Sequence, residues 1–183
     1  MTKILLIGSG HAHLSIIRRL INEKHKDYEI TLITPSKKDV QIDLEVLSEK
    51  SSVSIIEDTI ISFDPMQKML LCFSGEIYRF DVISFNMDMK FSLFRQALVP
   101  VVENGAMLVE DTLQNAEYPI LFGAGESVSI VGGASNKTES PDKQADLLWN
   151  NMKRYLKGQK LQSLNSGNDT FFSSWTERLF KRR

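Results

Sequence analysis

Lys3-Ile4-Leu5-Leu6-Ile7-Gly8-Ser9-Gly10-His11-Ala12-His13 opens the chain and decides its architecture. An unbroken apolar run suits a strand buried on both faces; two glycines follow it, and a helix-like stretch continues through Leu20-Ile21. A buried strand that turns through glycines into a helix N-terminus is how a βαβ unit makes room for a dinucleotide pyrophosphate. The first glycine permits the tight turn, and the second lets the backbone approach a phosphate with no Cβ in the way. The same turn can serve as a plain chain reversal, and the residues leave both readings open. His13 stands where a third small residue is usual and reads as a packed, hydrogen-bonded group facing the sheet. His11 and His13 point to different sides of the helix start, so no metal pair is expected.

Outward from this turn the elements alternate as a nucleotide-binding lobe requires. Glu29 to Thr34 reads as a β-branched second strand stopped by Pro35, and Val53 to Ile56 as a third. Between them, Ile42, Leu44, Val46 and Leu47 are spaced like a short helical face within a polar stretch. Ile60 to Phe63, Lys68 to Phe73 and Glu76 to Arg79 form a β-meander with turns at Asp64-Pro65 and Ser74-Gly75. Phe80 to Phe85 is an apolar run suited to a parallel sheet. Asn86 to Pro100 reads as a connecting helix, Ala106 to Val109 as a hairpin strand after Asn104-Gly105, and Pro119 to Ala124 as a last core strand leading into Gly125-Glu126. Val128 to Val131 reads as a short strand before a Gly132-Gly133 loop. A second helix has Ser140 as its cap, Pro141 at its first position, Asp142 at the positive end of the dipole and Gly158 at its close. Its inner face comprises Ala145, Leu148, Trp149, Met152 and Leu156.

Composition bounds the function. At 183 residues, 42% hydrophobic and 25% charged, the chain can bury one soluble globular core. A net charge of −1 argues against broad nucleic-acid binding. The single cysteine, Cys72, rules out an internal disulfide and reads as a buried thiol in a reducing compartment. With no signal-peptide n-region before the first strand and no apolar run near the roughly 20 residues that span a bilayer, the expectation is a cytoplasmic protein.

Several motifs in order carry a family resemblance: Gly8-Ser9-Gly10-His11-Ala12-His13-Leu14, the strand end Thr34-Pro35, the meander running into Phe80-Asp81-Val82-Ile83, and Asp111-Thr112-Leu113 with Ile120-Leu121-Phe122-Gly123-Ala124-Gly125-Glu126. Together they resemble the two-dinucleotide-binding-domain flavoproteins. Within these, the chain looks most like the FAD-dependent pyridine nucleotide-disulfide oxidoreductase, NADH dehydrogenase-like group whose glycine motif continues His-Ala-His, including the flavoprotein module fused to some selenophosphate synthases. The resemblance implies an α/β, Rossmann-like FAD/NAD(P)-binding fold, with a central parallel sheet and a small antiparallel β-meander. Residues 1–158 are then a single FAD-binding-type domain, and 159–183 a linker and an aromatic, basic C-terminal tail. The second dinucleotide-binding lobe of the family is absent, bridged by about residues 86–110, too few for a βαβ unit with its own glycine turn.

For the cofactor site the resemblance implies FAD. The backbone amides of Gly8, Gly10, His11, Ala12 and His13 would hold its pyrophosphate, and the backbone near Thr59 and Ile60 would meet adenine. Thr34 and Pro35 stand where the second strand ends, and Gly125 with Glu126 would meet the ribityl chain. The helix beginning at Pro141 would aim its N-terminus at the flavin, with Lys143 and Gln144 in its first turn. No catalytic side chain and no metal ligand is assigned. The chain departs from the family pattern at three places. Thr34-Pro35 lacks the carboxylate that usually grips the adenosine ribose, for which Asp39 or Asp43 could substitute if the loop folds back. Asn86-Met87-Asp88-Met89 replaces a small-residue turn. Glu126 is one methylene longer than the usual Asp.

Two functions follow: a FAD-binding redox module fed by free NAD(P)H or a partner protein, or a catalytically inactive relic that serves as a nucleotide-binding or scaffolding domain. The expected partner is a dinucleotide cofactor, without nucleic acid. Trp175, Leu179 and Phe180 at helical spacing beside Lys181-Arg182-Arg183 suit either peripheral membrane contact or self-association through 171–183 as a homodimer.

Overall fold

In the computed structural model, the described residues are 1–20, 27–40, 53–87, 92–133 and 141–164. The expected helical face at 42–47, Asp43, the Ser140 cap, Asp88 and Met89, and the tail at 171–183 lie outside them. The strands are β1 (Thr2–Ile7), β2 (Tyr28–Thr34), β3 (Val53–Glu57), β4 (Ile60–Asp64), β5 (Met69–Cys72), β6 (Ile77–Arg79), β7 (Val82–Phe85), β8 (Met107–Val109), β9 (Leu121–Gly123) and β10 (Val128–Ile130). The α-helices are α1 (His11–Leu20), α2 (Ser92–Gln96) and α3 (Pro141–Leu156), with short 3-10 turns at Lys37–Val40, Gly125–Ser127 and Val131–Gly133.

Five strands form one parallel sheet in the order β3-β2-β1-β7-β9. Ile4, Leu5, Leu6 and Ile7 are all buried because β1 is central and covered on both faces, which is what a continuous apolar run needs. The chain adds β2 and β3 to one side of β1 and then crosses to β7 on the other, so the sheet has its switch point between β1 and β7. In such sheets ligands bind at that crevice, beyond the carboxyl ends of the strands. Asp81 fixes the join: its carboxylate accepts the Lys3 amide at 2.7 Å, and its own amide donates to the Lys3 carbonyl at 2.9 Å.

Helices α1 and α3 pack together on one face. Ala145, Leu148, Trp149 and Met152 are buried as their spacing predicts, whereas Leu156 is only partly buried. Trp149 meets Tyr28 of β2 edge-on at 6.1 Å, and Tyr155 meets Phe122 of β9 at 6.0 Å, so α3 crosses the sheet. Arg19 and Asp146 pair across the helices. The helix closes at Gly158 with the Gly158 amide on the Tyr155 carbonyl and the Gln159 amide on the Arg154 carbonyl, a Schellman pair.

The antiparallel meander β4-β5-β6 forms as expected, with Asp64 Oδ1 accepting the Met66 and Gln67 amides at its first turn. Phe63 of β4, Phe85 of β7 and Phe94 of α2 pack as a cluster, with centroids of 5.1 Å for Phe63–Phe85 and 4.9 Å for Phe85–Phe94. This cluster joins the meander to the sheet.

Three expectations change. Among the described residues of the connecting helix expected over 86–100, only the short α2 is helical, and Leu98 beyond it has φ 57. The hairpin at 104–109 contributes a single antiparallel bridge, Val101 to Met107, while β8 pairs in parallel with β10. Residues 159–164 are held against the domain: buried Asn151 donates to the Thr112 and Gln162 carbonyls, and the Leu164 amide donates to the Asp111 carbonyl at 3.0 Å. Among the described residues no helix is long and apolar enough to cross a membrane.

Truncating Phe85 to Ala should lower the unfolding free energy by about 3–5 kcal/mol in urea titration, the cost of a large cavity among rings. Phe73→Ala, on a side chain 79% exposed, should change it by less than about 0.5 kcal/mol.

Candidate nucleotide-binding site

Gly8 follows β1 with φ 91, a conformation that a side chain would strain. Its amide donates to the Ile33 carbonyl at 2.8 Å, which ties the turn to β2. A Cβ here would overlap Met87 Cβ, and one on Gly10 would overlap the Asn86 carboxamide. The close approach that the glycines permit is therefore used first by the protein's own chain.

His13 occupies the third small-residue position by turning its ring into the sheet. It is fully buried, with Nδ1 at 2.9 Å from the Gly8 carbonyl and Nε2 at 2.9 Å from Ser84 Oγ on β7. A carbonyl can only accept, so Nδ1 carries the proton and Nε2 accepts from the serine. The sheet makes room because the facing residue is a small serine. Burial pushes the imidazole pKa down from 6.5 to about 4, against the opposing effect of the Gly8 carbonyl.

Beside the turn lies a cleft of about 550 Å³. The end of β1 and the turn contribute Ile7, Gly8, Ser9 and Gly10; Ile33 and Pro35 come from the end of β2; Asp58, Thr59 and Ile60 from the β3–β4 connection; and Met87 from beyond β7. It thus sits at the carboxyl edge of the sheet, next to the switch point. Among the described residues of this lining, Asp58 is the acidic group. Its Oδ1 accepts the Thr59 amide at 2.7 Å, its Oδ2 accepts the Ser74 hydroxyl, and its own amide donates to the Thr34 carbonyl at 2.9 Å. The Ser74 hydroxyl and the surrounding amides hold its carboxyl below the usual carboxylate range, so it is ionised at neutral pH.

Of the residues read as a cofactor site, Gly8, Gly10, Pro35, Thr59 and Ile60 line the cleft together. Thr34 is buried at its edge, with its hydroxyl 3.3 Å from Ser9 Oγ and 3.4 Å from the Ser36 carbonyl. The amides of Ala12 and His13 face Asn86 instead, whose Oδ1 accepts them at 3.0 and 3.4 Å. Gly125, Glu126 and Lys143 do not line the cleft. Gly125 approaches Asn86 from the opposite side, and its amide lies 3.5 Å from Gln144 Oε1, while Glu126 and Lys143 are exposed. The exposed His11 ring bonds Asp142 at 3.0 Å, and Ser15 donates to the same oxygen at 3.2 Å. Asn86 and Asp58 are the site residues that the motif reading did not single out as such. Asn86 registered only as bulk in a small-residue turn, and Asp58 stands one strand away from the position where a ribose carboxylate is sought.

No family model and no curated protein matches the chain in sequence. Its likeness is to solved structures. NADH:rubredoxin oxidoreductase from Clostridium acetobutylicum superposes with a TM-score of 0.59 at 12% identity, over 88% of this chain and 76% of that one. Sulfide:quinone oxidoreductase from Aquifex aeolicus gives 0.39 at 21% identity over 48% of this chain, which spans only 24% of that one. The water-forming NADH oxidase from Lactobacillus brevis gives 0.37 at 16% over 81% and 36%. The class defined is thus an α/β, Rossmann-like fold, and the first of these superpositions shows it as one shared with an oxidoreductase.

The buried imidazole makes stability depend on pH. Between about pH 6.5 and 4 the unfolded chain protonates His13 and the folded chain does not, so stability present above 6.5 is lost on acidification through that window. The loss contributed by this group should reach about 3 kcal/mol by pH 4. Denaturant titrations of wild type and His13→Gln across this range should show a flatter profile for the variant.

Proposed function

We propose that the chain is a nucleotide-binding module of oxidoreductase descent, of the NADH dehydrogenase-like, pyridine nucleotide-disulfide oxidoreductase kind, whose cleft holds the adenosine end of an adenine nucleotide. The observation that carries this reading is the cleft itself: large enough for a nucleoside, placed at the switch point, and bounded by a glycine turn on one side and Asp58-Thr59-Ile60 on the other. Apolar Ile7, Ile33 and Ile60 suit an adenine face, and the Asp58 carboxylate suits a ribose diol.

The diphosphate of FAD fits less well. Two of the helix-start amides are already bonded to Asn86, and the Asp58 charge is unfavourable to a second anion nearby. No redox step is therefore assigned to this chain, and the stretch between β7 and β8 is too short for a second βαβ lobe with its own glycine turn. A second reading, an FAD-bearing redox module, draws on one feature: Gly10 and the Gly125 turn, for which the family resemblance implies the pyrophosphate and the adjoining ribityl chain, meet here within reach of one residue, Asn86. A flavin held there would supply the electron transfer; the chain would supply only its seat.

Purified protein should be colourless, and adenosine or ADP should raise its melting temperature, the unfolding free energy gaining about 2.7 kcal/mol at ligand one hundred times Kd. Thr59→Trp, at an exposed position of the lining, should abolish that gain without lowering the unliganded melting temperature. Flavin colour persisting through purification would favour the redox module instead. Absence of any gain with adenosine, ADP or FAD would remove both readings.

A further inference from the structure

Asn86 is 6% exposed, and its carboxamide is engaged at both ends. Oδ1 accepts the Ala12 amide at 3.0 Å and the His13 amide at 3.4 Å, while Nδ2 donates to the Ala124 carbonyl at 3.0 Å. Its main chain accepts the Gly10 amide at 2.9 Å and donates to the Ile7 carbonyl at 2.9 Å. A neutral protein oxygen thus sits on the amides at the start of α1, where a dinucleotide-binding turn of this type presents its donors to a phosphate. The cleft remains open alongside, and among the described residues of its lining the charged group is an ionised carboxylate, Asp58, fixed by Thr59 and Ser74. A carboxylate accepts from hydroxyl donors and repels phosphate oxygens.

We infer that Asn86 determines the ligand class of the cleft: its carboxamide takes the place of the diphosphate, so the site recognises the adenine nucleoside portion of a ligand, with its ribose hydroxyls on Asp58, and gains no affinity from an attached diphosphate. This rests on the cleft being an adenosine site, but the part concerning Asn86 is testable without a nucleoside. Removing the carboxamide uncovers the two amides and leaves the residue small, as Asn86→Ala or Asn86→Ser.

Calorimetric titration and thermal melts should be run with adenosine, ADP and inorganic pyrophosphate on the wild type and on both variants, each confirmed as folded by circular dichroism. In the wild type, adenosine should bind as tightly as ADP, within about threefold, and pyrophosphate should leave the melting temperature unchanged. In the variants ADP should bind at least about tenfold more tightly than adenosine, the effect of about 1.4 kcal/mol from recovered charge-assisted bonds. Pyrophosphate alone should then raise the variants' melting temperature. Asp58→Asn should weaken adenosine binding and, by removing a like charge, enlarge the pyrophosphate response of an Asn86→Ser background. Wild-type ADP or FAD binding tenfold tighter than adenosine, or folded variants indifferent to pyrophosphate, would overturn the role of Asn86. Pyrophosphate stabilising the variants while adenosine binds none of the proteins would uphold that role and remove the nucleoside cleft.

Discussion

One side chain ties together three turns that are far apart in sequence. The Asn86 carboxamide reaches the start of α1, the carbonyl of Ala124 just beyond β9, and the space left by two glycines, Gly10 and Gly125. Each contact depends on the others. Gly10 and Gly125 lack side chains because the carboxamide fills their Cβ positions, and the amides at the helix start need an acceptor because they have none within the helix. Leaving those groups buried and unpaired would cost about 1–3 kcal/mol each, comparable to a substantial part of a domain's net stability. The carboxyl edge of the sheet is therefore held by a protein group rather than by a ligand. A cleft can persist beside it without needing an occupant to complete the fold.

The same economy appears at His13. A helix that packs closely on a strand usually needs a small residue at its first inward position, and here the small residue is on the strand instead. Ser84 gives up volume, the imidazole fills it, and the two polar atoms satisfy one another and the Gly8 carbonyl. A core polar group of this kind is harmless only while fully paired. The surrounding apolar layer, from the α1–α3 face through β1 to the Phe63, Phe85 and Phe94 rings, keeps water from competing for it.

Much of this arrangement was legible along the chain. The apolar run before Gly8, the β-branched second strand stopped by Pro35, the two turns of the meander and the Pro141-to-Gly158 helix are local patterns whose period and caps have few alternative readings. His13 facing the sheet followed from its position in the turn. The remainder depends on partners far away in sequence. The pairing of β8 with β10 rather than with its hairpin neighbour is decided by packing, and three-residue strands carry no periodicity that names a partner. Asn86 meets the α1 amides across 74 residues, and nothing around it indicates whether its carboxamide will obstruct a turn or complete one. Asp58 likewise reads as a loop acid until β2 and β3 are set side by side.

Cys72 carries a consequence of its own. The lone sulfhydryl lies buried in β5, and desolvation, with the nearby negative Asp58 and Glu76, pushes its pKa up to about 11. Thiolate is the nucleophilic form, so an alkylating reagent can modify only those molecules in which the meander has swung away from the sheet. The meander carries Ile60, and its turn supplies the serine that orients Asp58. The rate at which this sulfur is labelled is thus an intrinsic clock for local opening at the cleft wall, recorded by mass without adding any probe to the protein.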